Sequence, residues 1–157
     1  MMDLLASLEG TGFASWLRES GSIWGYPTVL TLHTVGLGVL VGASTVIDLR
    51  LLGAAPAIPL ASLRRLFPIM WVGFWINAIS GVALFATDAT TKGTTTVFFS
   101  KLGIIVLAVV VLMWIKRTVY GEAGAPGTTT MTVRALAAAS LVLWFAAIAT
   151  GRYMAYV

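Results

Sequence analysis

The chain has no cysteine and one histidine, and only 10% of its 157 residues are charged. The first absence excludes disulfides and thiolate metal centres, and says nothing about compartment. The second, with six scattered methionines, leaves no ligand cluster for copper or zinc. No Gly-rich phosphate loop, nucleophile elbow or catalytic carboxylate pair is present. No basic stretch precedes the first apolar segment, so the start does not read as a cleaved signal peptide. The shortage of charge carries the most information. Soluble domains run near a quarter charged because their surface meets water, whereas this chain is 59% hydrophobic with a mean hydropathy of +0.94. Its missing solvent must be lipid. A net charge of +4 and a pI near 9.9 come from basic residues spread over helix ends rather than gathered in a patch, which excludes a nucleic-acid partner.

A hydrocarbon core of roughly 30 Å takes about 20 helical residues to cross, and four stretches meet that length: about 26–47, 68–87, 97–115 and 133–151. Lipid cannot satisfy an open backbone, and these runs lack the alternation of a β-barrel, so they must be helices. Short connections separate them. One is 53–59, rich in Ala and Pro. Another is 88–96, rich in Thr and Gly, and the third is 121–130, which includes Gly124, Pro126 and Gly127. Such loops make consecutive helices antiparallel neighbours. The expected fold is an all-α, up-down four-helix membrane bundle in a single domain. Ahead of the first crossing, apolar and charged residues alternate over 3–20, with breaks near Gly10 and Gly12. This segment reads as one or two amphipathic helices in the membrane interface, anchored by Trp16 and Trp24.

Lys and Arg set the orientation. Arg50, Arg64, Arg65, Lys116, Arg117 and Arg134 lie on one side; Arg18, Lys92, Lys101 and Arg152 lie on the other. The first side is assigned to the cytoplasm, so both termini face out. Gly38 and Gly42 form a small-residue strip, widened by Gly36, that suits close packing within the chain or a dimer seam.

Ionisable groups at membrane depth are costly and mark candidate sites. His33 lies seven residues past Tyr26, about 10 Å below the outer surface at 1.5 Å per residue. The bare Gly36 one turn on leaves a recess beside the imidazole for a flat ring or for another helix. His33 either ligates or handles protons, or it donates a hydrogen bond to a nearby carbonyl. Lys101 opens the third helix, Arg152 closes the fourth and Asp88 closes the second. Either these groups form an outer cluster with His33, or Lys101 and Arg152 only snorkel to the headgroups and Asp88 pairs with Lys92. Gly73, Asn77, Ser80, Gly81, Leu84 and Asp88 share a face of the second helix. Asn77 then serves either the site or helix–helix adhesion. On the inner side, Asp48 is expected to meet Arg64, Arg65 or Arg117.

From Tyr26 onward the chain resembles the bacterial four-helix membrane proteins that include the CopD-type membrane domain and the HemJ-type protoporphyrinogen oxidases. The likeness rests on Leu32-His33, the exit Asp48-Leu49-Arg50-Leu51-Leu52, Arg64-Arg65-Leu66 before Pro68, Gly81, and Lys101. In detail it is similar to a branch of small bacterial membrane proteins, with no established activity, that end in Gly-Arg-x-x-Ala-Tyr, here 151–156. The resemblance implies a b-type haem or porphyrin, with His33 as metal ligand or redox-site residue and Lys101 on a carboxylate such as a propionate. With one histidine, Met154 or Lys101 would supply a sixth ligand, or the iron would stay five-coordinate. Trp24, Trp75 and Trp144 are candidates to line the slot.

The sequence therefore leads to a small bacterial inner-membrane protein with an outward-facing polar pocket, formed by His33, Gly36, Asn77, Asp88, Lys101 and Arg152, for a haem or porphyrin in a redox role. The alternative is a non-catalytic subunit whose polar seam packs its own helices, a second copy or a larger membrane complex.

Overall fold

The structure, a computed structural model, describes residues 2–121, 129–154 and 156. All the regular elements among them are helical: α1 (Met2–Glu9), α2 (Gly12–Glu19), α3 (Tyr26–Leu52), α4 (Leu60–Leu63), α5 (Leu66–Ala86), α6 (Ala89–Lys92), α7 (Thr96–Tyr120) and α8 (Met131–Tyr153). Four of these regions are long and apolar enough to cross a membrane: Tyr26–Leu52, Leu60–Ala86, Thr96–Tyr120 and Met131–Tyr153. This is an all-α membrane protein. The crossings extend past the apolar runs because polar ends such as Asp48 to Leu52 and Lys116 to Tyr120 continue the helix into the interface. The turn expected at Gly124, Pro126 and Gly127 lies outside the described residues, as does Ala155 of the C-terminal motif.

Two compact units make up the chain, Met1–Leu40 with Trp71–Thr96, and Val41–Met70 with Val97–Val157. In the first, α3 runs antiparallel to α5, with His33 beside Asn77 and Ser80 and Gly36 against Gly73. The connection after α5 contains the one-turn α6 rather than the uninterrupted loop expected from its Thr-rich composition. Glu9 at the end of α1 ties down α6: its Oε2 accepts from the Thr90 amide at 3.0 Å and the Thr90 hydroxyl at 2.7 Å. Arg18 of α2 donates to Glu9 and to the Thr87 carbonyl. The N-terminal helices are therefore docked by these polar contacts and by the fully buried Ala14 and Leu17, while Leu4, Phe13 and Trp16 stay exposed.

In the second unit, α8 is antiparallel to the later half of α3 and to α7. Its buried face repeats at Val133, Ala137, Ser140, Trp144 and Ala147, the three-and-four spacing of one helical face. Gly53 ends α3 with φ +109°. The Gly53 and Ala54 amides donate to the Arg50 and Leu49 carbonyls at 3.1 and 2.9 Å, a Schellman closure in which glycine takes the left-handed position at least cost. Arg134 adds a charged donor to the Leu52 carbonyl at 3.1 Å, where the helix dipole favours a cation. Arg50 staples the following loop through the Ile58 and Pro56 carbonyls.

The outward faces are apolar. On α5, Ile69, Val72, Trp75, Ile79 and Val82 are all exposed and form one stripe at helical spacing. On α7, Leu102, Val106, Val110, Met113 and Trp114 are likewise exposed. An apolar patch of this size in water drives association; here it meets lipid.

Candidate functional site

His33 is held by α5. Its Nδ1 lies 2.9 Å from the Asn77 carbonyl oxygen and 3.2 Å from Ser80 Oγ. A carbonyl only accepts, so the 2.9 Å contact places a ring proton on Nδ1. Ser80 Oγ donates to the Ile76 carbonyl at 2.5 Å, which leaves its lone pairs toward His33. Asn77 returns the contact by donating Nδ2 to the His33 carbonyl at 2.8 Å; the same Nδ2 is 3.4 Å from His33 Nε2. Gly81 makes room for the ring, since a Cβ there would lie 3.0 Å from Cε1.

Of the two possibilities for the recess beside Gly36, the structure shows the helix. A Cβ on Gly36 would come within 2.7 Å of the Asn77 amide nitrogen and 2.9 Å of the Gly73 oxygen. The α5 backbone fills the space a flat ring would have used. Gly38 and Gly42 take no part in this crossing: both are exposed, and a Cβ on either meets nothing within 4 Å. Of the strip expected at Gly38 and Gly42 and widened by Gly36, only Gly36 makes the close contact among the described residues, against Gly73.

Asp88 lies at the N-terminal end of α6 and pairs with Lys92, Nζ to Oδ2, at 3.9 Å. Lys92 Nζ also donates to the Leu84 carbonyl. The face read from 73 to 88 therefore divides, with Gly73 through Gly81 against α3 and Asp88 serving the turn after α5. In the second unit, Lys101 of α7 runs along Gly151 of α8, where a Cβ would lie 3.4 Å from Nζ. Arg152, the next residue, is exposed. Trp24 and Trp75 are 73% and 58% exposed. Trp144 is buried in the second unit, with no hydrogen-bond partner for Nε1 among the described residues.

The inner carboxylate differs from expectation. The ion pairs among the described residues are Arg18–Glu9, Arg18–Glu19 and Lys92–Asp88, so Asp48 meets none of Arg64, Arg65 and Arg117. It is 0% exposed. Ser44 Oγ donates to its Oδ2 at 3.2 Å and lies 3.4 Å from Ser140 Oγ; both serines are 0% exposed. Arg50 turns instead to the loop carbonyls and Arg134 to the end of α3. Sequence reasoning overlooked Ser44 and Ser140. The available signal was Ser44 four residues before Asp48, on one helix face, and a lone serine inside the apolar run of α8.

No family model, curated protein or solved structure matches the chain.

Proposed function

We propose that this is a bacterial inner-membrane protein in which His33 is the nitrogen ligand of a b-type haem or related porphyrin with a redox role. One observation carries the reading: the Nδ1–H of His33 is committed to the Asn77 carbonyl at 2.9 Å. Metal-ligating histidines characteristically donate their other ring N–H to a carbonyl or carboxylate, which fixes the tautomer and raises the basicity of the ligating nitrogen. Asn77 and Ser80 would hold the ring in that state. Lys101 and Arg152 belong to the other compact unit, and the reading rests on the first unit alone. Gly36 would act by letting α5 come close, not by touching the porphyrin, and Asp88 by fixing Lys92. When bound, haem would supply one-electron chemistry; the chain itself supplies the ligand, its orientation and an apolar surround. In this reading both termini lie outside the cytoplasm.

A second reading is favoured by the interlock of Gly36 with Gly73 and by the internal bonds of Asn77 and Ser80. The chain is then a non-catalytic subunit whose polar seam only joins helices, associating with a second copy or a larger membrane complex. A visible spectrum of the purified protein, oxidised and dithionite-reduced, decides between them. A Soret band that His33→Ala removes or shifts supports the ligand. A colourless protein made with ample haem supply, purifying with a stoichiometric partner, supports the subunit.

A further inference from the structure

We propose that Asp48, Ser44 and Ser140 form a buried binding site for one monovalent metal cation of sodium size. Three observations combine. The carboxylate is fully buried and has no Lys or Arg within ion-pair distance among the described residues. Ser44 and Ser140 add two fully buried hydroxyls. The carboxylate's other oxygen, Oδ1, has no hydrogen-bond partner among the described residues.

Helix adhesion alone accounts for Ser44, Ser140 and Oδ2 but not for Oδ1. Buried polar atoms are almost always satisfied, and one that is not calls for a specific explanation. A single cation answers both needs, since it coordinates Oδ1 and cancels a charge too expensive to bury alone. The charge count selects valence: one carboxylate with neutral hydroxyls balances a monovalent ion, whereas a divalent ion would leave one positive charge buried. The ligand type selects a hard cation, because every donor is oxygen.

Spacing sets the size. An octahedral shell with metal–oxygen distances of about 2.3–2.6 Å, the range for a calcium- or sodium-sized ion, has edges of about 3.3–3.7 Å. The two serine oxygens lie 3.4 Å apart, within that range, while the 3.2 Å from Ser44 runs to Oδ2, the oxygen that accepts its hydrogen. Location keeps the distance to the helix end short. Asp48 is one turn from the end of α3 at Leu52, about 6 Å along the axis at 1.5 Å per residue, so the ion need not cross the hydrocarbon core to enter.

The test uses the full chain in lipid nanodiscs, with sodium chloride replacing choline chloride at constant ionic strength. Radioactive sodium binding and thermal unfolding are read together. The expected result is one saturable sodium site per chain and a melting temperature that rises with sodium, less so with potassium. Asp48→Asn should abolish both, and Ser140→Ala should weaken sodium binding about tenfold or more. Sodium binding that survives Asp48→Asn would overturn the proposal, as would a melting temperature indifferent to sodium. A protonated-carboxyl infrared band that sodium leaves unchanged and Asp48→Asn removes would overturn it too, because a proton would then neutralise the group. Should Asp48→Asn fail to fold, Ser140→Ala decides alone: unchanged sodium affinity overturns the site.

Discussion

Gly36 and Gly73 bring α3 and α5 so close that a methyl group on either would lie 2.9 Å or less from backbone atoms of the other helix. This close approach holds Asn77 within reach of the His33 carbonyl and His33 within reach of the Asn77 carbonyl. Without it the polar seam could not close. Gly36→Ala and Gly73→Ala are expected to force the helices apart and cost about 1–3 kcal/mol, the usual penalty of overpacking. Gly38→Ala and Gly42→Ala, with open space at both positions, should be neutral or stabilise by up to about 1 kcal/mol, as Ala is the better helix former. Equilibrium unfolding in mixed micelles separates the two pairs. Equal effects at all four positions would mean that the α3–α5 crossing is not the close contact.

Asn77 is the hinge of the hydrogen-bonded exchange, donating from its side chain and accepting at its backbone. Asn77→Leu removes only the side-chain donor. Interhelical hydrogen bonds in membrane proteins contribute about 0.6 kcal/mol on average and at most about 1.7, so the expected loss of stability lies in that range. Because the Asn77 carbonyl remains, the Nδ1 proton of His33 should stay in place. Nitrogen-15 spectra of the single histidine should show the same tautomer in Asn77→Leu. Gly81→Ala, which crowds the ring at Cε1 and Nδ1, should perturb it.

The sequence pattern reached some features and not others, for physical reasons that differ by residue. The four crossings were legible because an apolar run of membrane length has few other fates, and a unique histidine below the interface invited attention by its cost alone. The partnership of His33 with Asn77 required knowing which faces meet, and periodicity aligned the α5 face from Gly73 to Gly81 without saying what it faces. Membership of the same inner set of helix ends is what suggests pairing of Asp48 with Arg64, Arg65 or Arg117. In the structure Arg50 and Arg134 are already committed to carbonyls at the α3 end, and hydroxyls from its own helix and α8 surround the carboxylate instead. Gly38 and Gly42 have the spacing of a helix crossing, but only the glycine that faces a partner can serve as one, and that is Gly36.

Glu9 gives the docking of the N-terminal helices a pH dependence. Its carboxyl is held below the ordinary value of 4.5, first by the Thr90 hydroxyl, then by the Thr90 amide, with Arg18 and Lys92 adding to the effect. A lowered folded-state pKa means the ionised form is favoured when α1 is docked. The contribution is fully present above about 4.5 and is lost as pH falls through the folded value. Hydrogen exchange at the Thr90 amide should accelerate, relative to its intrinsic rate, as the pH drops below that range. Glu9→Gln should weaken protection at neutral pH and flatten the dependence. A Thr90 amide whose protection did not change across an acid titration that protonates Glu9 would show that α1 docks without the carboxylate.

The proposed orientation rests on basic residues, and the chain's own composition makes it easy to check. With no native cysteine, a single introduced one is a unique reporter. Ser22 lies in the exposed segment before α3, and Ser62 is exposed in α4 beside Arg64 and Arg65. Arg50 staples that second loop through Pro56 and Ile58, a role independent of topology, so its charge alone does not fix the side. Arg64 and Arg65, in no ion pair among the described residues, are left to follow the positive-inside bias. In intact spheroplasts a membrane-impermeant maleimide should label Ser22→Cys, and should label Ser62→Cys only after permeabilisation. The reverse pattern would put His33 in the cytoplasmic half of the membrane and Asp48 near the outer surface. The proposed porphyrin and sodium sites would then face opposite compartments from those assigned, with their local chemistry unchanged.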